Sequence, residues 1–205
     1  MRVLVACEYS GTVRDAFLAA GHEAVSCDLL PSERPGPHIQ GDVLGHLGDG
    51  WDLMVGFPPC THLALSGARW FVRKPQEQEE AIAFFRRLWE VAIPRVALEN
   101  PVGIMSGIIG PPHQVVQPYE FGDPHRKTTC LYLRNLPPLS PTRKVDVEPD
   151  HVTRSGRRLP RWYNIPPRAD RGLIRSRTFP GLALAMAAQW GTSGEYRARP
   201  VGALG

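Results

Sequence analysis

Apolar residues recur along this chain with two alternating periods. Residues 2–7 (RVLVAC) form a short β-branched run that reads as a buried strand. Ser10-Gly11-Thr12 then supply turn and cap chemistry. Val13, Phe17 and Leu18 set an apolar stripe on a following helix, which Gly21 stops. Residues 23–28 (EAVSCD) return as a strand ending on Asp28, so the chain opens with a right-handed βαβ unit. A Pro-rich loop is expected over 31–40, a short strand or strand end over 41–44 (GDVL), and a strand over 51–57 (WDLMVGF) running into Pro58-Pro59-Cys60. Residues 76–92 carry the clearest helical pattern. Pro75 opens it, Glu77, Glu79 and Glu80 favour its N-terminal dipole, and Ile82, Phe85, Leu88, Trp89 and Ala92 keep helical spacing. A strand over 95–99 is broken by Asn100-Pro101, and two further strand-like runs lie at 114–119 and 128–134. Residues 135–178 are rich in Pro and Arg with little periodicity, and a last helix spans 180–190.

Strands alternating with helices predict an α/β fold, a mostly parallel sheet with helices on both faces. Ligands of such sheets bind in loops beyond the carboxyl ends of the strands. At those ends stand Glu8-Tyr9-Ser10-Gly11, Asp28, Asp42, Pro58-Pro59-Cys60 and Glu99-Asn100-Pro101. Acids and a thiol therefore gather at the edge where this architecture does its chemistry.

Composition narrows the picture. With 205 residues, 42% hydrophobic and 21% charged, the chain is long enough for one domain with a real core, which excludes wholesale disorder. No run approaches the ~18 apolar residues of a membrane span. The N-terminus reads as a first strand and not as a secretory signal, so a cytoplasmic protein is expected. Four scattered cysteines, Cys7, Cys27, Cys60 and Cys130, give no disulfide framework and no Cys-x-x-Cys pair. Cys60-Thr61-His62 is the one place two metal ligands stand close, and without a partner pair no metal is expected. Charge is uneven: residues 142–177 hold ten Lys and Arg against four acids, an excess of +6 in a chain of net +4. Interleaved with Trp162 and Tyr163, this stretch suits a polyanion as well as a solvated loop.

Asp28, about 20 residues after the first turn, is placed to bond a nucleoside's ribose hydroxyls. The first turn lacks a full G-x-G-x-x-G, so a nucleoside cofactor without pyrophosphate fits better than a dinucleotide. Pro58 and Pro59 each fix φ and hold the Cys60 thiol in a narrow range of poses. Such a nucleophile needs relief of its proton, for which His62 and Lys127 are candidates. Glu99, ending an apolar strand, is a candidate proton donor or hydrogen-bond partner, or a plain partner of Arg95.

In this order the motifs resemble the DNA cytosine-5 methyltransferase family, most of all its compact phage and prophage members. Phe57-Pro58-Pro59-Cys60 with Gly67 seven residues on looks like the family's Pro-Cys nucleophile loop. Glu99-Asn100-Pro101-Val102-Gly103 looks like its Glu-Asn-Val motif, and Gly41-Asp42-Val43 is similar to its Gly-Asp-Ile. Glu8 to Gly11 stand at its first loop, and Pro180 to Trp190 at its closing helix. Thr61 departs from the usual Gln, Pro101 from the usual Val, and the Gln-x-Arg-x-Arg motif is reduced to Arg126 and Lys127.

The resemblance implies a Rossmann-like S-adenosylmethionine-dependent methyltransferase fold with a catalytic and cofactor core over 1–134. A reduced target-recognition region would span 135–178, and 179–205 would hold the closing helix and tail. Cys60 with Pro59, Glu99 with Asn100, and Lys127 would carry the chemistry. Glu8, Tyr9, Ser10, Gly11, Asp28, Leu29, Asp42, Val43 and Pro58 would seat S-adenosylmethionine. Arg126, Arg157, Arg158, Arg161 and Trp162 would meet double-stranded DNA with the target base flipped out. Three alternatives stay open: the same chemistry on free cytosine nucleotide or RNA, an amino-methyltransferase, and a degenerate nucleic-acid-binding module.

Overall fold

The computed structural model describes residues 1–166 and 169–192; the tail from 193 and Arg168 lie outside the described residues. The opening βαβ unit is β1 (Arg2–Ala6), α1 (Thr12–Ala19) and β2 (Glu23–Asp28). After it come β3 (His38–Gln40), β4 (Leu53–Gly56), α2 (Pro75–Trp89), β5 (Arg95–Asn100), α3 (Met105–Ile108), β6 (Gln114–Val116) and β7 (Thr129–Arg134). These seven strands form one sheet in the order β3-β2-β1-β4-β5-β7-β6. The five from β3 to β5 run parallel, and β7 lies antiparallel to both β5 and β6.

The two-residue period of a strand sorts the core into two layers. Val3, Val5, Val55 and Ala97 point to one face, where Val13 and Phe17 of α1 meet Leu182, Met186 and Trp190 of α5 (Pro180–Trp190). Leu4, Met54, Val96 and Leu98 point to the other, against Phe85 and Leu88 of α2 and Met105 of α3. Register keeps each set level across strands: Leu4 pairs with Met54, and Met54 with Val96. The fold is thus α/β and Rossmann-like, a mostly parallel sheet with helices on both faces. Among the described residues no helix is long and apolar enough to cross a membrane.

Four expectations are corrected. Residues 38–40, expected within a loop, form the edge strand β3. Residues 41–44, expected as strand, instead turn: the Asp42 carboxylate accepts the Leu44 amide at 3.0 Å and starts a 3-10 turn over Val43–Gly45. The expected strand 114–119 stops at Val116, because Gln117 and Glu120 cap each other around the 3-10 turn Pro118–Glu120. The expected helix 76–92 ends at Trp89. The aperiodic segment also holds short elements: the hairpin β8 (His151–Val152) and β9 (Arg158–Leu159), a 3-10 turn over Arg161–Asn164, and α4 (Arg171–Ser176).

Candidate active site

Side by side in the sheet, β4 and β5 end in loops that are stitched together by main chain. Leu65 donates its amide to the Val102 carbonyl at 3.1 Å, and Ile104 donates to Leu63 at 2.9 Å, around a bridge between Ala64 and Gly103. A Cβ at residue 103 would collide with the Leu63 carbonyl, so only glycine permits this approach. Behind the stitch, Leu63 and Ala64 donate their amides to the Cys60 carbonyl at 3.0 and 2.9 Å. The turn carrying Cys60 is therefore fixed against the strand end carrying Glu99.

Cys60, Glu99 and Lys127 line one cavity of about 900 Å³, together with Phe57, Pro58, Pro59, Asp28, Tyr9, Cys7 and Trp162. Lys127 Nζ lies 3.5 Å from Glu99 Oε1, and both side chains are mostly shielded from solvent. Thr129 Oγ1 donates to the Lys127 carbonyl at 3.0 Å, and Gln117 donates to the Thr128 hydroxyl at 3.0 Å, so both flanks of Lys127 are held. Cys60 is open to the cavity, yet protein crowds its sulfur. Desolvation pushes its thiol up first, the Glu99 carboxylate pushes it further, and Lys127 and Arg175 pull it back down. Pro59 is exposed beside it. Asn100 is buried, pairs with Cys130 in the sheet, and has no hydrogen-bond partner for its amide among the described residues. His62, a candidate base, does not line the cavity; its carbonyl accepts from Gln78.

The far end of the cavity lies at the tips of β1 and β2, where Asp28 opens on it. Cys7 adopts φ 58°, the left-handed region, where a side chain costs roughly 1–3 kcal/mol. Burial drives the Cys7 thiol far above the ordinary range, and Asp28, Cys27 and Asp42 add to this. Two thiols thus share one cavity, one raised further by neighbouring acids and the other set between one acid and two cations. The remaining first-loop residues do other work. Glu8 is buried, and its carboxylate accepts from Ser10 Oγ at 2.9 Å and from the Val13 amide at 2.8 Å, which caps α1 from inside. Burial pushes the Glu8 carboxyl up, against these bonds. Gly11 has φ 72°, and a Cβ there would run into the buried Arg14, which ties loop residues Ser32, Arg34 and Pro35 to α1. Leu29 is exposed, Val43 is core and Asp42 is exposed; none of the three lines the cavity, nor do Glu8, Ser10 and Gly11.

Of the basic residues singled out from sequence, Arg157 and Arg158 stand exposed on the β8–β9 hairpin. Arg126 pairs with Asp150 at 3.6 Å, and Arg161 donates to the Pro149 carbonyl at 3.2 Å. Trp162 packs on Phe179 with ring centroids 4.6 Å apart and on His125 at 5.5 Å, anchoring this segment to the core while facing the cavity. Sequence reasoning missed α4. Its Arg171, Leu173, Arg175 and Ser176 line the cavity, and the Tyr9 hydroxyl donates to the Leu173 carbonyl at 2.6 Å. Just past the helix, Arg177 pairs with Glu33 at 2.6 Å. The alternating pattern behind these contacts is too short to read: Arg171–Ser176 offers two adjacent apolar residues, Leu173 and Ile174. Among the described residues no three His, Cys, Asp or Glu side chains gather as a metal site.

No protein-family profile matches the sequence, and no curated protein matches it. Solved structures do resemble it. One is a prophage-encoded E. coli protein assigned as a DNA modification methyltransferase, 19% identical over 65% of this chain and 46% of that one, with a TM-score of 0.45. Another is the Entamoeba histolytica methyltransferase EhMeth, 11% identical over 71% and 57%, with a TM-score of 0.49. A third is the 16S rRNA methylase RmtB, 16% identical over 64% and 54%, with a TM-score of 0.35. The chain spans about half the length of these structures.

Proposed function

We propose that this chain is an S-adenosylmethionine-dependent methyltransferase acting on carbon 5 of cytosine in DNA, with Cys60 as covalent nucleophile. The observation that carries this reading is the convergence of Cys60, Glu99 and Lys127 on one cavity whose other end opens on Asp28. A thiol, a carboxylate and an ammonium at the carboxyl edge of a Rossmann-like sheet suit attack on an electron-poor ring.

The site also fits the cofactor. At about 900 Å³ the cavity has room for a nucleoside and a base together. Asp28 suits ribose hydroxyls, Tyr9 and Pro58 supply apolar walls, and the exposed Asp42 lies near enough to Asp28 that both act on the Cys7 thiol. When bound, S-adenosylmethionine supplies an electrophilic methyl group. The protein's part is to make carbon 5 nucleophilic. The Cys60 thiol gives up its proton to solvent and Sγ bonds carbon 6, the ring double-bond electrons move towards the ring nitrogen and oxygen, and Glu99, entering protonated, donates to that nitrogen and accepts from the exocyclic amine. Lys127 holds the ring oxygen. After methylation the proton on carbon 5 passes to solvent, its bonding pair re-forms the ring double bond, and the sulfur–carbon pair leaves with sulfur, freeing Cys60 as thiolate.

DNA is favoured over free nucleotide by the exposed Arg157 and Arg158 on a short hairpin, within a 135–178 segment that acts as a reduced target-recognition region. Phosphate contacts from such side chains supply much of nucleic-acid affinity. The experiment is direct: DNA incubated with the protein and labelled cofactor, then hydrolysed, yields 5-methylcytosine by mass spectrometry. Label on an exocyclic amine would move the reading to amino-methylation, and label only on free nucleotide or RNA would move the substrate. No label anywhere would leave a binding module.

Cofactor binding gives a second check. Asp28→Ala is expected to weaken S-adenosylmethionine by about tenfold to a hundredfold, the loss of a charged hydrogen bond of ~1.5–3 kcal/mol. Unchanged affinity by calorimetry would remove Asp28 from the cofactor site.

A further inference from the structure

Three charged groups share a cavity with Cys60 and act on its thiol, each from a different element: Glu99 from β5, Lys127 from the stretch before β7, and Arg175 from α4. The first two form an ion pair at 3.5 Å, so their fields at the sulfur oppose each other. Arg175 lines the same cavity as Cys60 on a six-residue helix that is moored elsewhere. Tyr9 donates to the Leu173 carbonyl at 2.6 Å and lies 3.3 Å from Ser176 Oγ, and Arg177 holds Glu33 at 2.6 Å. Those moorings belong to the β1 loop and the Pro-rich loop, at the Asp28 end of the cavity. The helix is thus tied to the Asp28 end of the cavity and shares the cavity with Cys60 through Arg175.

We infer that Arg175 is a positioning cation for the Cys60 thiolate, delivered by α4 and held in place by the Tyr9 and Glu33 moorings. The inference rests on the proposed function only for what the thiolate goes on to do. A guanidinium cannot be deprotonated in a protein, so Arg175 keeps its charge at every pH where a thiol titrates. It works against the burial and the Glu99 charge that raise the Cys60 thiol. Because its helix is tied to the β1 loop, the nucleophile senses the state of the opposite end of the cavity through one short element.

The test needs no methyl transfer and no DNA. The full-length protein is alkylated with iodoacetamide between pH 6.5 and 10.5, and the Cys60 peptide is followed by mass spectrometry apart from the Cys7 peptide. Arg175→Gln should raise the alkylation midpoint by about half to one pH unit, a roughly threefold to tenfold slower reaction at pH 8. Arg175→Lys should restore most of that rate, and Tyr9→Phe should slow it partway in the same direction. Circular dichroism identical to wild type keeps the comparison between folded proteins. An unchanged midpoint in Arg175→Gln overturns the inference, as does an Arg175→Lys protein as slow as the Gln variant, since the effect would then not be charge. A chain that transfers no methyl group yet shows these shifts would sink the proposed function and leave the Arg175 assignment standing.

Discussion

A DNA duplex carrying 5-fluorocytosine should capture this protein in a complex that survives denaturing electrophoresis, and only when S-adenosylmethionine is present. Attack by sulfur on carbon 6 activates carbon 5 for methylation, and the adduct normally resolves by loss of the proton on carbon 5. Fluorine at that position cannot leave as a cation, so the sulfur–carbon bond persists. Cys60→Ser should give no complex, because an alcohol without a dedicated base is a far weaker nucleophile than a thiolate. Cys7 is the stringent control, since it lines the same cavity. Its thiol is pushed far up by burial and by the neighbouring acids, so it should carry no adduct, and Cys7→Ser should trap as wild type. Cys27 is buried with its thiol raised to about 11, and Cys130 is buried; both should be dispensable for trapping. Peptide mapping that finds the base on Cys7, or trapping that persists in Cys60→Ser, would refute the nucleophile assignment.

Replacing Glu99 should move two measurements in opposite directions. With Glu99→Gln, methyl transfer should fall by ~10²- to 10⁴-fold, the range for loss of a positioned acid or base. Over the same change, alkylation of Cys60 should accelerate by about threefold to tenfold near pH 8. Burial is the largest influence raising the Cys60 thiol, and the Glu99 carboxylate is next, while Lys127 and Arg175 oppose it. The sign follows from these directions. Thiolate forms only above the raised midpoint; removing the negative neighbour lowers that midpoint, so more thiolate exists at a fixed pH. The Glu99 carboxylate and the Cys60 sulfur are thus coupled through charge, and a base that engages the carboxylate would weaken its opposition to the thiolate. A Glu99→Gln protein whose Cys60 reacts no faster than wild type would break this coupling.

The layers of the fold were legible because burial enforces period. β1, β2, β4, β5 and α2 are strongly patterned, and each forms where its apolar residues recur. The short elements were not legible, and each for a local reason. β3 has three residues inside a Pro-rich run and depends on register with Ser26, Cys27 and Asp28. The Asp42 turn is decided by one side-chain bond, and the end of β6 by a reciprocal cap. α4 owes its docking to contacts with Tyr9 and Glu33, more than 130 residues away, which no local pattern carries. At the site, Cys60, Glu99 and Lys127 were named from motif and chemistry, and the cavity holds all three. Arg175 went unnoticed as a single member of a basic run, because its distance from Cys60 is a property of the folded chain alone. Glu8 likewise sits at a strand end as expected, but only the structure reveals that its carboxylate turns inward to α1.

The main-chain stitch between residues 63–65 and 102–104 bears on how such a pocket can be reshaped. The turn that carries Cys60 and the strand end that carries Glu99 are joined by backbone hydrogen bonds to which no side chain contributes. Thr61, just before this stitch, and Leu65 and Val102, within it, are exposed and line the cavity, and their side chains take no part in its main-chain bonds. A library randomised at those three positions would therefore explore new substrate shapes on an unaltered main-chain frame. Gly103 is the one position in the stitch where the alphabet closes to a single letter.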